Sequence, residues 1–249
     1  MKLFFRKFGE GEPLIILHGV FGSSDNWLTI AKRLSEKNTV FIVDARNHGL
    51  SPHSDEFNFD VMSADLFELI VDNNIINPIL IGHSMGGKTV MTFENLYPDK
   101  AKKIVVVDIG PKAYPVHHTK IFEALFSINL NEIHSRQDAD QKLSNLITYN
   151  PTKQFLLKNL YRKTDSEFGW RFNLQSLHNN IENIGISQLN NSPSLKPALF
   201  IRGEKSNYIL DEDWNGIIKL FPQAVLCTVS EAGHWVHADN PDGFIRCLG

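Results

Sequence analysis

One pentapeptide, Gly82-His83-Ser84-Met85-Gly86, constrains this chain more than any other stretch. It lies between a short apolar run of strand type, Ile79-Leu80-Ile81, and residues 87–97, a proline-free stretch with the length and composition of a helix. A serine between strand and helix, with glycines two residues to either side, can take a strained turn because neither glycine puts a Cβ where the backbones crowd. Its hydroxyl is then pushed out beyond the sheet. The turn also sets Ser84 at a helix N-terminus, where the free N–H of Met85 can stabilise an oxyanion.

The same residues satisfy a second pattern. Gly82 to Thr89 also reads G-x-x-x-x-G-K-[ST], the phosphate-cradling loop of nucleotide hydrolases, with Lys88 and Thr89 in its closing positions. Asp108, ending the run Ile104-Val105-Val106-Val107, then passes for the acid on the Mg²⁺ side. The choice depends on whether the rest of the chain supplies a nucleotide site or a base and an oxyanion hole.

At 249 residues the chain is long enough for one large α/β domain with an insertion, or for two small domains. Apolar runs predict strands at 2–8, 14–17, 40–43, 79–81, 104–107, 198–201 and 224–229. Helices are predicted between them at 26–36, 60–73, 87–97, 211–221 and 241–248. This alternation predicts a parallel sheet with helices on both faces. It breaks at residues 111–193, where short helical stretches at 120–126, 139–148 and 152–161 follow one another without a strand. The expected organisation is therefore a core from 1–110 and 194–249 with a helical insertion at 111–193.

Net charge is −3 and no basic cluster stands out, which excludes a nucleic-acid surface. Cys227 and Cys247 are too few for a disulfide framework, so a reducing compartment is the expectation. The opening residues hold an apolar run of only three before charge returns, which fits neither a signal peptide nor a membrane span; the reading is cytoplasmic. No H-E-x-x-H or C-x-x-C is present, and the adjacent His117 and His118 point apart on a helix, so no metal and no organic cofactor are expected.

A nucleophilic serine needs an imidazole from a loop at the C-terminal edge of the sheet. His234, in Glu231-Ala232-Gly233-His234-Trp235 just past the last strand, meets that need. His18, His48 and His83 are expected to brace loops. The second oxyanion donor should come from the turn after an early strand, with the N–H of Val20 first and that of Phe21 next, beside Met85. A phosphate-loop reading leaves His18-Gly19 and Gly233-His234 unexplained. Asp44, Arg46 and His48 are read as a loop-bracing group, with an ion pair, rather than a charged substrate site.

Taken together, H-G-V-F-G-S, D-A-R-N-H-G-L-S, G-H-S-M-G-G and the late A-G-H-W resemble the α/β-hydrolase superfamily, and the combination is similar to small bacterial esterases of the YbfF type. The resemblance covers residues 1–110 and 196–249 and is weak in the insertion, apart from Gly169-Trp170-Arg171-Phe172-Asn173-Leu174. It implies an α/β-hydrolase fold: a mostly parallel eight-stranded sheet, or a seven-stranded one short of an early strand, with a helical cap after strand 6. The superfamily's usual acid position falls on Ser206, which cannot carry a charge. Asp108 is the nearest replacement, and the resemblance favours it, with Ser206 as a hydrogen-bonding neighbour; Glu204 and Asp211 remain alternatives.

The expected function is a serine hydrolase that cleaves carboxylic esters of short to medium acyl chains through an acyl-enzyme. Phe122, Leu125, Phe126 and Trp170 of the cap would close over an apolar pocket. An acyl-CoA thioesterase would use the same machinery. The other classes are a nucleotide-binding protein built on Lys88 and Thr89, and a silent binding module that keeps the hydrolase shell.

Overall fold

Where the sequence holds unbroken apolar runs the chain forms strands covered on both faces. In the computed structural model, which describes residues 1–115, 118–165 and 167–249, the first half runs β1 (Phe5–Phe8), β2 (Glu12–Leu17), α1 (Leu28–Leu34), β3 (Asn38–Val43), α2 (Phe59–Asp72), β4 (Ile79–His83), α3 (Met85–Leu96) and β5 (Lys103–Val107). The insertion follows as α4 (Thr119–Phe126), α5 (Arg136–Ser144), α6 (Asn150–Leu157), β6 (Leu160–Arg162), β7 (Phe168–Trp170) and α7 (Leu174–Asn179). The core resumes with β8 (Ala198–Gly203), α8 (Trp214–Leu220), β9 (Ala224–Val229), α9 (Val236–Asp239) and α10 (Pro241–Leu248).

Seven strands form the main sheet in the order β1-β3-β2-β4-β5-β8-β9, so the seven-stranded expectation holds and the eight-stranded one gives way. Every pairing is parallel except β1 with β3. Because β3 lies on one side of β2 and β4 on the other, the winding reverses between β2 and β4. Loops leaving those two carboxyl ends diverge and open a crevice, the usual place for a ligand in such a sheet.

Successive residues on each strand feed opposite layers. Ile15, Phe41, Leu80 and Val106 pack with Val90 and Phe93 of α3, whereas Ile16, Ile42, Ile81 and Val105 pack with Trp27, Ile30 and Phe244. Each such fully buried aliphatic side chain contributes roughly 1.5–3 kcal/mol.

A third apolar cluster belongs to the insertion and reaches into the core. Phe122, Leu125, Leu143, Leu157 and Phe172 meet Phe21, Phe57, Met62 and Met85 within it. The insertion is not wholly helical, in contrast to the sequence reading: β6 and β7 form an antiparallel hairpin with Leu160 opposite Trp170. The expected helix at 152–161 accordingly ends at Leu157. The hairpin holds because Gly169 leaves room for the Tyr161 ring; a Cβ there would lie 2.8 Å from Tyr161 Cε1. His117 lies outside the described residues.

Cys227 of β9 and Cys247 of α10 are joined by a disulfide, with their Cα atoms 6.0 Å apart. The sequence ground for a reducing compartment was that two cysteines are too few for a disulfide framework, and the bridge removes that ground. Among the described residues no helix is long and apolar enough to cross a membrane.

Candidate active site

Ser84 sits between β4 and α3 with φ 51° and ψ −115°, a conformation that a non-glycine residue holds only when its surroundings force it. They do so here by close approach. A Cβ on Gly86 would come within 2.5 Å of the Leu17 carbonyl oxygen, and one on Gly82 would collide with the Gly86 carbonyl. The Ser84 N–H is fixed on the Val107 carbonyl at 3.0 Å, so it takes no part in a phosphate cradle.

The acid and the imidazole meet at the carboxyl end of the sheet. Asp108, fully buried at the end of β5, has its Oδ2 2.7 Å from His234 Nδ1. The same oxygen accepts the Ser206 hydroxyl at 2.5 Å, and Oδ1 accepts the Gly203 N–H at 3.0 Å. The carboxylate thus has three donors around it and a fixed orientation. Asp108 is also held at φ 51°, in a region where aspartate is among the more tolerant residues. Glu204 accepts the Glu231 N–H, and Asp211 pairs with Arg202; neither has a bond to His234.

The other histidines brace the walls. His18 Nε2 accepts the Ala45 N–H at 3.0 Å, which leaves Nδ1–H to donate to the Gly19 carbonyl at 2.8 Å. His83 Nε2–H donates to the His234 carbonyl at 2.8 Å and so ties the elbow to the imidazole loop. His48 Nε2 accepts the Phe21 N–H at 3.2 Å while Nδ1–H donates to the Arg46 carbonyl. Burial pushes His48 down to about 3, keeping it the neutral acceptor that Phe21 requires. Phe21 is therefore corrected as an oxyanion donor, because its N–H is already committed. Among the described residues the N–H groups of Val20 and Met85 carry no hydrogen bond, and both residues line a cavity with Ser84.

The loop-bracing expectation for the stretch after β3 is met with different partners. Arg46 forms a buried two-pronged pair with Asp65, at 2.6 and 2.9 Å, rather than with Asp44. Asp44 instead gathers the N–H groups of Ser24 and Leu50 at 2.6 and 2.8 Å.

Two cavities meet at Ser84. One, of about 340 Å³, runs beside α3 past Met85, Lys88, Ile109 and Tyr114. The other, of about 450 Å³, holds His234 and runs past Trp235, Phe155 and Lys158. Val20, Ser84 and Tyr208 line both. Of the expected cap residues, Phe122 and Leu125 are buried in the cap's own core, Phe126 is half exposed, and Trp170 stacks on Phe172; none lines either cavity.

Sequence reasoning missed several residues here. The Tyr208 ring stacks on His234, with centroids 3.8 Å apart and planes 18° off parallel. Its carbonyl accepts the Tyr114 hydroxyl at 2.6 Å, and that hydroxyl in turn accepts the Gly110 N–H. Asn159 of the cap donates to the Phe21 carbonyl at 2.7 Å, holding the turn that carries Val20. Lys88 donates to the carbonyls of Lys112, at 2.8 Å, and Ile186, one on each chain crossing between core and cap. The only sequence signal for these was an aromatic two residues past Ser206 and a lysine one helical turn past Ser84.

Residues 12–241 match the family described as alpha/beta hydrolase fold, and the chain belongs to that family. Its relatives include the sn-1-specific diacylglycerol lipase ABHD11 of Danio rerio, 38% identical over 96% of this chain and 78% of that protein. Another is Esterase YbfF of Escherichia coli K12, 36% identical over 96% of this chain and 92% of that protein. Among solved structures, a marine microorganism esterase superposes with a TM-score of 0.97 at 45% identity, covering 100% of this chain and 98% of the other.

Proposed function

We propose that the protein is a serine esterase acting on small carboxylic esters. The carrying observation is the 2.7 Å bond from His234 Nδ1–H to Asp108 Oδ2, beside a strained serine that lines the same cavity as His234. Ser84 Oγ attacks the ester carbonyl carbon as His234 Nε2 takes its proton, and the carbonyl oxygen, now an anion, is met by the Val20 and Met85 N–H groups. Asp108 holds the imidazole in the tautomer with Nδ1–H and stabilises its charged form, while Ser206 steadies Asp108. His234 then protonates the departing alkoxide, leaving the acyl group on Ser84. Water, deprotonated by His234, attacks that acyl-enzyme; the acid departs and Ser84 regains its proton.

The two cavities divide the substrate. A leaving oxygen must lie within reach of the imidazole that protonates it, so the cavity holding His234 takes the alcohol portion and the one beside α3 takes the acyl portion. Residues 111–193 serve as the cap that closes both. The relatives' names, a diacylglycerol lipase and an esterase, support ester cleavage. A fluorophosphonate probe should label the protein once, at Ser84, and Ser84→Ala should abolish both labelling and hydrolysis of p-nitrophenyl butyrate. Labelling that persists in the variant, or no labelling of the wild type, overturns the assignment. Running acyl-CoA substrates beside p-nitrophenyl esters separates thioester from oxygen-ester preference.

A further inference from the structure

The wall of the acyl cavity carries a charge that the reaction above leaves unused. Lys88 is 1% exposed, and among the described residues it makes no ion pair. Its ammonium has three N–H groups; the Lys112 and Ile186 carbonyls take two, and the Tyr114 ring lies 5.1 Å away. Lys112 also lines this cavity, with its own charge answered by Asp213 at 2.7 Å, and among the described residues that line it none is acidic. Burial alone lowers Lys88, to about 8. Tying two carbonyls together needs donors only, which a neutral amide supplies. An uncompensated buried ammonium is costly for a tie, and the cost is offset when an anion enters beside it.

Resting on the esterase reading of Ser84, we propose that the acyl cavity binds acyl groups ending in a carboxylate, paired with the Lys88 ammonium. Lys88 stands four residues after Ser84, a rise of about 6 Å along α3. A chain of four to six carbons esterified to Ser84 spans that distance, so the substrate class is half-esters or half-thioesters of short dicarboxylic acids. The charge pair forms out of water, where it discriminates strongly against a neutral end.

Monoethyl glutarate and ethyl glutaramate differ only in carboxylate against amide at that end. Their kcat/KM ratio, measured by ethanol release, should be at least tenfold in favour of the carboxylate for the wild type. Lys88→Gln, which keeps a donor for the carbonyls, should bring the ratio to about one, while Lys88→Arg should keep a preference. As a readout without turnover, monoethyl glutarate should raise the Tm of Ser84→Ala protein more than ethyl glutaramate does. A wild-type ratio of one or below, an unchanged ratio in Lys88→Gln, or equal Tm shifts overturn the inference while leaving the esterase reading intact. Loss of hydrolysis of both ethyl esters and of p-nitrophenyl butyrate by the wild type overturns both.

Discussion

Asp108 Oδ2 is the most heavily loaded atom of the site, since both His234 and Ser206 converge on it. Asp108→Asn replaces a charged acceptor with an amide that can turn its NH₂ toward Nδ1 and favour the wrong tautomer; kcat should fall by about 10⁴ with the fold retained by circular dichroism. Ser206→Ala removes one donor to a charge that stays, and should cost about tenfold or less. Adding Ser206→Asp to Asp108→Asn should restore part of the rate, since the two side chains touch. Glu204→Gln and Asp211→Asn should leave the rate near wild type, and a collapse in either one reassigns the acid. A second residue-scale expectation concerns histidines that stay neutral. Burial takes His48 and His237 from 6.5 to about 3. Below pH 6.5 the unfolded chain binds protons that these folded histidines refuse, so their contribution is complete above 6.5 and is lost as pH falls toward 3. The Tm should drop across that window. His237→Phe, which keeps the stack on Trp27 at 3.8 Å, should make the drop shallower.

Among the elements, those with long apolar runs or full helical turns were legible and the short ones were not. β4, α3 and β8 lie where the sequence set them because most of their side chains are buried, and β9, at the sheet edge, because its residues form a short strand-type run. The β6–β7 hairpin has three residues a side, too few to show a period of two, and its stability comes from a ring lying over Gly169. The places of Ser84 and His234, the proposed nucleophile and base, were legible because each sits at a strand end with glycine beside it. Phe21 was misassigned because the partner of its N–H, His48, comes from a loop 27 residues away, and nothing local records that bond. The polar part of the insertion's grip on the core was equally hidden, because it runs through single amides such as Asn159, Asn173 and Gln188. Asn159→Ala leaves the buried Phe21 carbonyl without that donor and should destabilise the protein by about 1–3 kcal/mol in urea unfolding. Because the Val20 turn loosens with it, kcat should fall more than KM rises. A variant that loses stability with kcat unchanged would separate the cap from the oxyanion turn.

For the whole molecule, reversed winding between β2 and β4 decides where chemistry can occur, and that reversal could not be read from strand positions alone. Strand order depends on which runs lie side by side, and apolar runs of similar length are interchangeable in sequence. The disulfide was hidden for a similar reason: Cys227 and Cys247 are 20 residues apart, and only the docking of α10 on β9 brings them together. Closing a loop of that length should contribute about 3 kcal/mol, so Cys227→Ser with Cys247→Ser should lower the Tm, as should reductant acting on the wild type. His234 lies inside the closed ring. A protease that nicks the backbone anywhere within residues 228–246 therefore yields two peptides still tethered by sulfur. On a gel the nicked enzyme migrates as one band without reductant and as two with it, and its imidazole segment stays attached to the catalytic body after the chain itself has been cut.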